Sequence, residues 1–333
     1  MTNKRKYSIM SYEGEKYVTT PEGVKDMVEK YGVAIVPDIL NKQELESMRN
    51  GMWDYIEHIT QSHPFPINRW NTKSWREFSK LYPKHSMLLQ NWQIGQAQYI
   101  WDIRQNPKVV DVFSKIWDCE PEDLLSSFDG ASVHFPPELT KKGWFRNLWY
   151  HTDQSYLNPD FNCIQSWVTA YDVNDGDATL SFMEGSNKFH KEFQKKFDIQ
   201  DKSNWFKLND IENHLQFYKD HGCEEKKIKC KKGSMVFWDS RTIHCGSEPL
   251  KNRKKMNMRN VVYICMMPRS KATSNVLKRR IKAFEEVRMS SHWPAKGFKL
   301  FPVNPRTYGG KIYETKDISK PNLSDLGKKL VGY

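Results

Sequence analysis

The spacing of apolar and polar residues changes from a helical to a strand-like pattern partway along the chain. Apolar side chains recur at helical spacing in residues 21–28 and, over a longer stretch, in 96–116. Asn41 followed three residues later by Glu44 predicts the capped start of another helix. In 124–267, short alternating runs are separated by glycine, proline and asparagine, which is typical of strands. Helices are therefore predicted first and strands afterwards.

Two departures from this order stand out, an early strand pattern at residues 32–37 and a helical segment among the later strands. Helices followed by short strands favour a mainly β fold of the α+β class, a sandwich or jelly-roll barrel flanked by helices. We expect a single domain over residues 1–333. Its predicted parts are a mainly helical N-terminal support in 1–120, a jelly-roll core in 121–268 with a helical insert at about 190–222, and a C-terminal helix with a Pro-rich wrap in 269–333.

The composition is that of a globular protein with a sizeable core, since apolar residues make up 38% of the chain and aromatic residues 13%. No apolar run approaches the roughly 18 residues of a membrane helix, so no membrane span is expected. The first residues are basic, but no apolar stretch follows them, and no signal peptide is predicted. The six cysteines show no paired spacing, which is typical of reduced thiols in a cytoplasmic protein.

A net charge of +12 favours anionic partners. The lysines and arginines concentrate in residues 226–232, 251–255 and 278–282. Aromatic residues do not alternate with these runs, as they would on a surface that stacks nucleic-acid bases. A nucleic-acid partner is therefore not expected, and a small anionic or amphipathic molecule matches the charge better.

The candidate chemistry depends on a His-x-Asp pair, His151 and Asp153, and on a distant histidine, His244. In a chain with 10 histidines and 40 acidic residues such pairs also arise by chance, and His190 with Glu192 is a second one. The first pair precedes a strand-like segment. The second lies in a charged, helix-like segment that we expect to be a solvated face.

Two imidazoles and one carboxylate can hold a divalent iron on one face and leave three coordination positions open. Residues two apart on a strand point the same way but stand about 6–7 Å apart, so Asp153 is expected where the strand turns into a loop. Further along, Arg259 begins an alternation that directs one set of side chains into the barrel interior. A guanidinium in that position could anchor the far carboxylate of a dicarboxylate cosubstrate.

The segments around these residues are similar to those of a known family. In chain order they are Tyr31-Gly-Val-Ala-Ile-Val-Pro-Asp-Ile-Leu40, Trp149-Tyr-His-Thr-Asp153, Trp167-Val-Thr-Ala-Tyr-Asp-Val173, Leu180-Ser-Phe-Met-Glu-Gly-Ser-Asn-Lys188, Gly233-Ser-Met-Val-Phe-Trp-Asp-Ser-Arg-Thr-Ile-His244 and Arg259-Asn-Val-Val-Tyr263. Over about residues 30–270 the chain resembles the phytanoyl-CoA dioxygenase (PhyH) family of Fe(II)/2-oxoglutarate-dependent oxygenases. The resemblance implies a catalytic domain with a double-stranded β-helix, the cupin-like form of the jelly roll.

The resemblance also assigns roles to individual residues. It implies that His151, Asp153 and His244 bind Fe(II), and that Arg259 pairs with the 5-carboxylate of 2-oxoglutarate. Dioxygen would be the second cosubstrate. The implied reaction is oxidation of a C–H bond, either hydroxylation or oxidative cyclisation or desaturation. Halogenation is not expected, because related halogenases lack the carboxylate ligand.

Further contacts are predicted around this centre. Thr179 and Ser247 are candidate hydroxyl partners for a carboxylate of the cosubstrate. Arg241 either orients Asp153, contacts substrate or forms a structural salt bridge. The candidate substrate contacts are Trp149, Arg146, His134 and Arg241.

Residues 60–95 and 128–148 are expected to line the mouth of the barrel, by analogy of topology. They combine cations with aromatic side chains, which favours a small amphipathic metabolite bearing carboxylates, such as an amino-acid-derived compound of secondary metabolism. Three alternatives stay open: an oxygenase that acts on a protein or nucleic acid, a non-catalytic metal-binding cupin-like protein, and an oxidase of CoA thioesters.

Overall fold

The computed structural model of the chain describes residues 11–81, 87–304 and 313–333. The basic N-terminal residues 1–10, part of the predicted mouth at 82–86 and part of the predicted Pro-rich wrap at 305–312 lie outside the described residues.

Short helices and strands make up the described chain. The α-helices are α1 (Val24–Tyr31), α2 (Lys42–Thr60), α3 (Gln98–Arg104), α4 (Pro107–Trp117), α5 (Pro137–Thr140), α6 (His190–Lys196), α7 (Ile211–Asp220), α8 (Ser274–Glu285) and α9 (Asp325–Val331). The strands are β1 (Ser11–Glu13), β2 (Val33–Val36), β3 (Leu88–Leu89), β4 (Leu124–Ser126), β5 (Ala131–His134), β6 (His151–Thr152), β7 (Ile164–Thr169), β8 (Thr179–Met183), β9 (Phe206–Lys207), β10 (Glu225–Ile228), β11 (Met235–Asp239), β12 (His244–Ser247) and β13 (Arg259–Pro268).

The strands form two sheets. The six-stranded sheet has the order β1-β10-β8-β12-β6-β9, and the seven-stranded sheet has the order β2-β11-β7-β13-β5-β3, with β4 also paired to β13. The named strands pair antiparallel except for β1 with β10. Strands β1, β2 and β3 precede residue 121, so the sheets extend beyond the predicted core of 121–268. Strand β2 coincides with the early strand predicted at 32–37.

An apolar cluster joins the two sheets face to face. It includes Trp167 and Val236 from the seven-stranded sheet and Leu180 and Phe182 from the six-stranded sheet. Helices α2, α3 and α4 share a second cluster with the other face of the seven-stranded sheet, and α6 and α7 share a third with the other face of the six-stranded sheet. The result is the predicted mainly β, α+β fold, in which two largely antiparallel sheets form a cupin-like barrel with flanking helices.

Local sequence explains where the N-terminal helices begin. The Asn41 side chain accepts a hydrogen bond from the backbone N–H of Glu44, whose carboxylate accepts one from the Asn41 backbone, as predicted for a capping box. The single helix predicted over 96–116 is instead two helices. Asn106 caps α4 and Pro107 occupies its first turn, where a missing N–H costs nothing.

The predicted helical insert of residues 190–222 contains α6, α7 and a strand, β9, between them. His190 in this insert is buried, although its charged surroundings predict a solvated face. Its ring stacks on Tyr156 at 4.2 Å, and its Nε2 lies 3.0 Å from the carbonyl oxygen of Ser155. Burial lowers the pKa of His190 to about 4. Glu192 is exposed, so the second His-x-acid pair forms no site.

Helix α8 and the C-terminal helix α9 close one side of the fold. The buried guanidinium of Arg280 on α8 donates to the carbonyl oxygens of Val331 and Leu330 on α9 and of Ser126 on β4. Within the three described parts of the chain, every helix is too short or too polar to cross a lipid bilayer.

Candidate metal centre

Two neighbouring strands of the six-stranded sheet carry the predicted metal ligands. His151 begins β6 and His244 begins β12, and the register places these two residues directly opposite each other. Asp153 follows the two-residue β6, and its backbone N–H donates to the carbonyl of Ser240 at 2.9 Å. The carboxylate therefore lies where the strand turns into a loop, as the two-residue spacing predicts.

The side chains of the three residues converge on one point. His151 Nε2 lies 3.7 Å from Asp153 Oδ1, and His244 Nε2 lies 3.2 Å from Asp153 Oδ2. One ligand atom from each residue lies within 4.8 Å of the others, and all three residues are buried. Three potential ligand atoms gathered in this way are the arrangement that a single metal ion with nitrogen and oxygen ligands requires.

Backbone carbonyl groups hold both imidazoles in the orientation that a metal requires. His151 Nδ1 lies 3.2 Å from the carbonyl oxygen of Trp149, and His244 Nδ1 lies 2.9 Å from that of Thr242. A carbonyl oxygen only accepts, so each Nδ1 carries a proton, which leaves each Nε2 as the nitrogen available to a metal. This tautomer is the one in which histidine commonly binds metals through Nε2.

The protonation states also suit a cation. Burial lowers the pKa of His151, and the nearby His244 ring lowers it further, so the imidazole is neutral. Burial alone would raise the pKa of Asp153, but neighbouring imidazoles, foremost His292, outweigh it and hold that pKa well below its ordinary value. Two imidazoles and one ionised carboxylate are a donor set that fits Fe(II).

Gln165 on β7 orients the carboxylate, a role that the sequence offered as one alternative for Arg241. Gln165 Nε2 donates to Asp153 Oδ2 at 2.9 Å. Arg241 instead forms a salt bridge to Asp239 at 2.6 Å and donates to the carbonyl of Pro159. Of the roles considered for Arg241, the structural salt bridge is the one that the contacts support.

Three tryptophans surround the imidazoles. The Trp149 ring stacks on His151 at 4.6 Å with an interplanar angle of 9°, and Trp205 lies 5.9 Å from the same imidazole. Trp238 lies 5.5 Å from His244. Of the predicted substrate contacts, Trp149 is therefore the one placed against a candidate ligand. Trp205 and Trp238 were not predicted as site residues.

Arg259 lies inside the barrel, where its alternation along β13 predicts it. Its Nε donates to Ser132 Oγ at 2.8 Å, and one Nη donates to the carbonyl of Ala178 at 3.2 Å. The guanidinium carbon lies 5.2 Å from the Trp167 ring. No aspartate or glutamate of the described chain forms an ion pair with Arg259, which is 5% exposed. A buried cation without an acidic partner suits an anionic ligand.

Along the barrel interior, Tyr263 lies between Arg259 and the candidate ligands. Its ring lies 6.4 Å from Trp238, which in turn lies 5.5 Å from His244. Tyr263 keeps some exposed surface although Val262 and Ile264, its neighbours in β13, are buried. A side-chain hydrogen bond joins Tyr263 to Arg259, so this tyrosine lies between Arg259 and Trp238.

His134, a predicted substrate contact, lies directly opposite Arg259 in the pairing of β5 with β13. It packs against Gly143, whose φ of +89° lies in the left-handed region that favours glycine. A Cβ at this glycine would lie 2.4 Å from His134 Nε2. Burial, together with the charge of Arg253, lowers the pKa of His134 to about 3, so the ring is neutral. His134 is thus a neighbour of the predicted cosubstrate anchor.

Thr179 and Ser247 do not face the candidate metal centre, which corrects the prediction that they contact the cosubstrate. They lie opposite each other in the pairing of β8 with β12. Ser247 and His244 are three residues apart on one strand, so their side chains project from opposite faces of the sheet. Thr179 Oγ1 donates to the carbonyl of Ile228 at 2.8 Å, and Ser247 Oγ accepts from Lys227 Nζ at 2.8 Å.

Lys227 is buried beneath this outer face, and burial lowers its pKa from an ordinary 10.5 to about 8. At a pH between these two pKa values, Lys227 is protonated in the unfolded chain but not in the folded one. The free energy of unfolding therefore rises with pH over this range. Lys227→Met is therefore expected to raise the free energy of unfolding at pH 7 by roughly 1–3 kcal/mol. The gain should shrink as the pH rises from 8 to 10.5, as urea denaturation would show. Lys229→Met is the control, because the Lys229 side chain is 43% exposed and its ammonium lies 3.8 Å from Asp175. An equal gain there would contradict this account.

The cations predicted to line the mouth are engaged elsewhere or exposed. Arg69 forms ion pairs with Glu57, at 2.7 Å, and with Asp54. Arg146 is exposed and has no hydrogen bond or ion pair to another described residue. No described contact brings either arginine to the three candidate ligands.

Two residues near the centre come from segments that gave no catalytic signal. His292, after α8, interacts electrostatically with Asp153, and its buried Nε2 has no hydrogen-bond partner among the described residues. Met87 approaches Gly246, which shares the face of His244 on β12, so that a Cβ on this glycine would lie 2.9 Å from the Met87 methyl carbon. Met87 therefore occupies space beside the ligand strand that any larger residue at position 246 would need.

Comparison with known proteins agrees with this fold. The family model Phytanoyl-CoA dioxygenase (PhyH) matches residues 28–255. Ava biosynthesis cluster protein O of Aspergillus versicolor is 31% identical over 212 residues, covering 60% of this chain and 64% of that protein. The match thus spans less than two thirds of that relative's length.

Two solved structures share the fold at low sequence identity. A hypothetical protein, JW0805 from Escherichia coli, is 14% identical, with a TM-score of 0.57 and coverage of 95% of this chain and 85% of that one. GlcNAc Inducible Gene 2 (GIG2) from Candida albicans is 14% identical, with a TM-score of 0.51 and coverage of 80% of this chain and 68% of that one.

Fold and site together define a cupin-like barrel with a candidate His-Asp-His metal centre. The chain belongs to the phytanoyl-CoA dioxygenase family, whose model covers both the His-x-Asp pair and the distal histidine.

Proposed function

We propose that the protein is an Fe(II)/2-oxoglutarate-dependent dioxygenase that oxidises a C–H bond of a small, carboxylate-bearing metabolite. The observation that carries this proposal is the convergence of His151, Asp153 and His244. The buried Arg259, which has no acidic partner among the described residues, adds a place for the far carboxylate of the cosubstrate. Family membership points to the same chemistry.

Ferrous iron with 2-oxoglutarate would supply the oxidising chemistry from dioxygen, and the chain would supply binding, orientation and exclusion of water. The two histidines and Asp153 would hold the iron on one face. Gln165 fixes the carboxylate rotamer through its 2.9 Å hydrogen bond. Such outer contacts commonly change metal affinity or activity by about 10- to 100-fold.

Arg259 would bind the cosubstrate carboxylate that does not reach the metal. A guanidinium offers two parallel N–H donors to a carboxylate, which fixes both position and orientation. Stacking on Trp167 and the bond to Ser132 restrict the arginine before any ligand binds. Tyr263, which is hydrogen-bonded to Arg259, would lie along the cosubstrate.

The proposed substrate is a small molecule. One support is the similarity to a protein whose name assigns it to a biosynthesis cluster. Another is the tryptophan surface of Trp149, Trp205 and Trp238 around the imidazoles, which suits an apolar body. Hydroxylation, cyclisation and desaturation all begin from a C–H bond held against such a centre.

Anaerobic addition of Fe(II) and 2-oxoglutarate to the purified apoprotein tests the proposal. We expect a weak visible charge-transfer band that saturates at one iron per chain, followed by succinate release when oxygen is admitted. Copurified zinc, with no band and no succinate after exchange to iron, would contradict the proposal and support a non-catalytic metal-binding protein. A substrate panel that pairs free acids with their CoA thioesters would identify the substrate form.

A further inference from the structure

Strand β9 brings a cation to the face of the six-stranded sheet that carries the candidate ligands. Lys207 lies directly opposite His151 in the pairing of β9 with β6, and the backbone N–H of Leu208 donates to the carbonyl of Tyr150 at 3.0 Å. Opposite residues on antiparallel strands share a face, with Cβ atoms about 4.5–5.5 Å apart. The Lys207 side chain therefore leaves the sheet on the same side as the His151 imidazole.

Trp205 precedes Lys207 by two residues and shares this face, as its 5.9 Å distance to the His151 ring indicates. It keeps 47% of its surface exposed, unusually much for an indole beside a buried centre. Lys207 is also exposed, and its side chain forms no hydrogen bond or ion pair with another described residue. An unpaired cation and an uncovered indole thus stand together at the edge of the candidate metal centre.

The segment that leads into β9 is tied to the loop that follows the ligand Asp153. Ser155 Oγ donates to the carbonyl of Asp201 at 2.7 Å. The backbone N–H of Ser155 donates to Asn204 Oδ1 at 3.3 Å. These two bonds couple the position of β9 to that of Asp153. The rim, by which we mean Lys207 and Trp205, is therefore positioned together with the candidate metal centre.

Protection of a sheet edge explains this arrangement less well. Strand β9 is the last strand of its sheet, and lysines on edge strands do discourage pairing with other chains. However, β9 is only two residues long, which already makes it a poor template. Edge protection also gives no reason for the exposed indole of Trp205.

We propose that Lys207 and Trp205 select an anionic substrate with a flat apolar body, of the class of aromatic carboxylates. This proposal rests on the proposed function and names the substrate class of that same site. Lys207 pairs with the acidic group, and Trp205 with Trp149 contacts the ring system. A divalent ion and Arg259 together balance one carboxylate ligand and a dianionic cosubstrate, so the proposed centre has no cation left for the acidic group of a substrate. An anionic substrate therefore needs a further cation nearby.

The test compares 2-naphthoate with 2-naphthamide, which have the same shape but differ in charge. Calorimetric titrations use protein loaded anaerobically with Fe(II) and 2-oxoglutarate, so that Arg259 is already occupied. We expect wild-type protein to bind 2-naphthoate at least about tenfold more tightly, equivalent to 1.4 kcal/mol. Lys207→Gln should remove this preference and Lys207→Arg should keep it. Trp205→Ala should weaken both probes.

Lys202→Gln is the matched control, because it removes an equal charge from an exposed lysine of the same insert. A preference lost equally in Lys202→Gln, kept in Lys207→Gln or absent from wild-type protein would overturn the proposal. The same titrations on apoprotein separate it from the proposed function. If no charge-transfer band forms but the apoprotein prefers 2-naphthoate through Lys207, the oxygenase proposal fails and the anion-binding rim stands. If the band forms without the preference, the rim proposal fails and the oxygenase proposal stands.

Discussion

Asp153→Ala is expected to lower the affinity for Fe(II) by at least about 100-fold and to abolish the charge-transfer band with 2-oxoglutarate. The carboxylate is the anionic member of the candidate ligand set, and even outer contacts to metal ligands are worth about 10- to 100-fold. Its removal leaves two neutral imidazoles that cannot balance the charge of a divalent ion. Competition with a coloured chelator measures the affinity, and anaerobic absorption spectra measure the band.

The chain supplies its own control in the second His-x-acid pair. Glu192→Ala removes an exposed carboxylate two residues after a buried histidine and should leave both measurements unchanged. His151→Ala and His244→Ala should behave like Asp153→Ala. Circular dichroism establishes that each variant is folded. Full iron binding by folded Asp153→Ala would place the metal elsewhere and end the proposal.

The three candidate ligands could be predicted because their chemistry is local. A histidine and an aspartate two apart, at the end of a strand pattern, predict a shared direction and a strand-to-loop turn. The barrel then explains how His244, far away in sequence, arrives opposite His151, since β12 and β6 are neighbours. Arg259 was predicted to face inward by the same alternation, and the pairing of β13 with β5 and β7 agrees with this orientation.

The predicted hydroxyl contacts failed because the face of a strand residue depends on its register. Ser247 is an odd number of residues from His244 on a continuous strand, so the two cannot share a face. The sequence alone did not show that β12 continues from His244 to Ser247. Thr179 lies on the same outer face because it is paired with Ser247.

Other residues of the site carry no signal that a sequence could show. Gln165 alternates with Trp167, which predicts a common face but not a hydrogen bond to Asp153. Strand β9 is two residues long, too short for any alternation to stand out. His292 reaches the centre from a segment that is distant from Asp153 along the chain. Such contacts depend on how distant elements pack, which periodicity does not encode.

Arg259→Met is expected to raise the Kd for 2-oxoglutarate by about 100-fold while iron binding without 2-oxoglutarate stays close to wild type. Truncating one partner of a buried charge pair costs roughly 2–5 kcal/mol, and each 1.4 kcal/mol is tenfold in Kd. Methionine retains much of the apolar contact with Trp167 but has no donor for a carboxylate.

The comparison of Arg259 with Arg253 decides what the 2-oxoglutarate titration means. Both side chains are buried and lie at or shortly before the start of β13, but Arg253 forms ion pairs with Glu138 at 2.6 Å and with Asp177 at 3.1 Å. Its charge is already matched within the chain, so Arg253→Met should lower stability and leave the Kd for 2-oxoglutarate within about threefold, less than 1 kcal/mol. Equal losses of cosubstrate affinity in the two variants would reflect general damage to the barrel. A large loss confined to Arg259→Met identifies that guanidinium as the anchor, because there the fold buries a cation and leaves its anion to be supplied by a ligand.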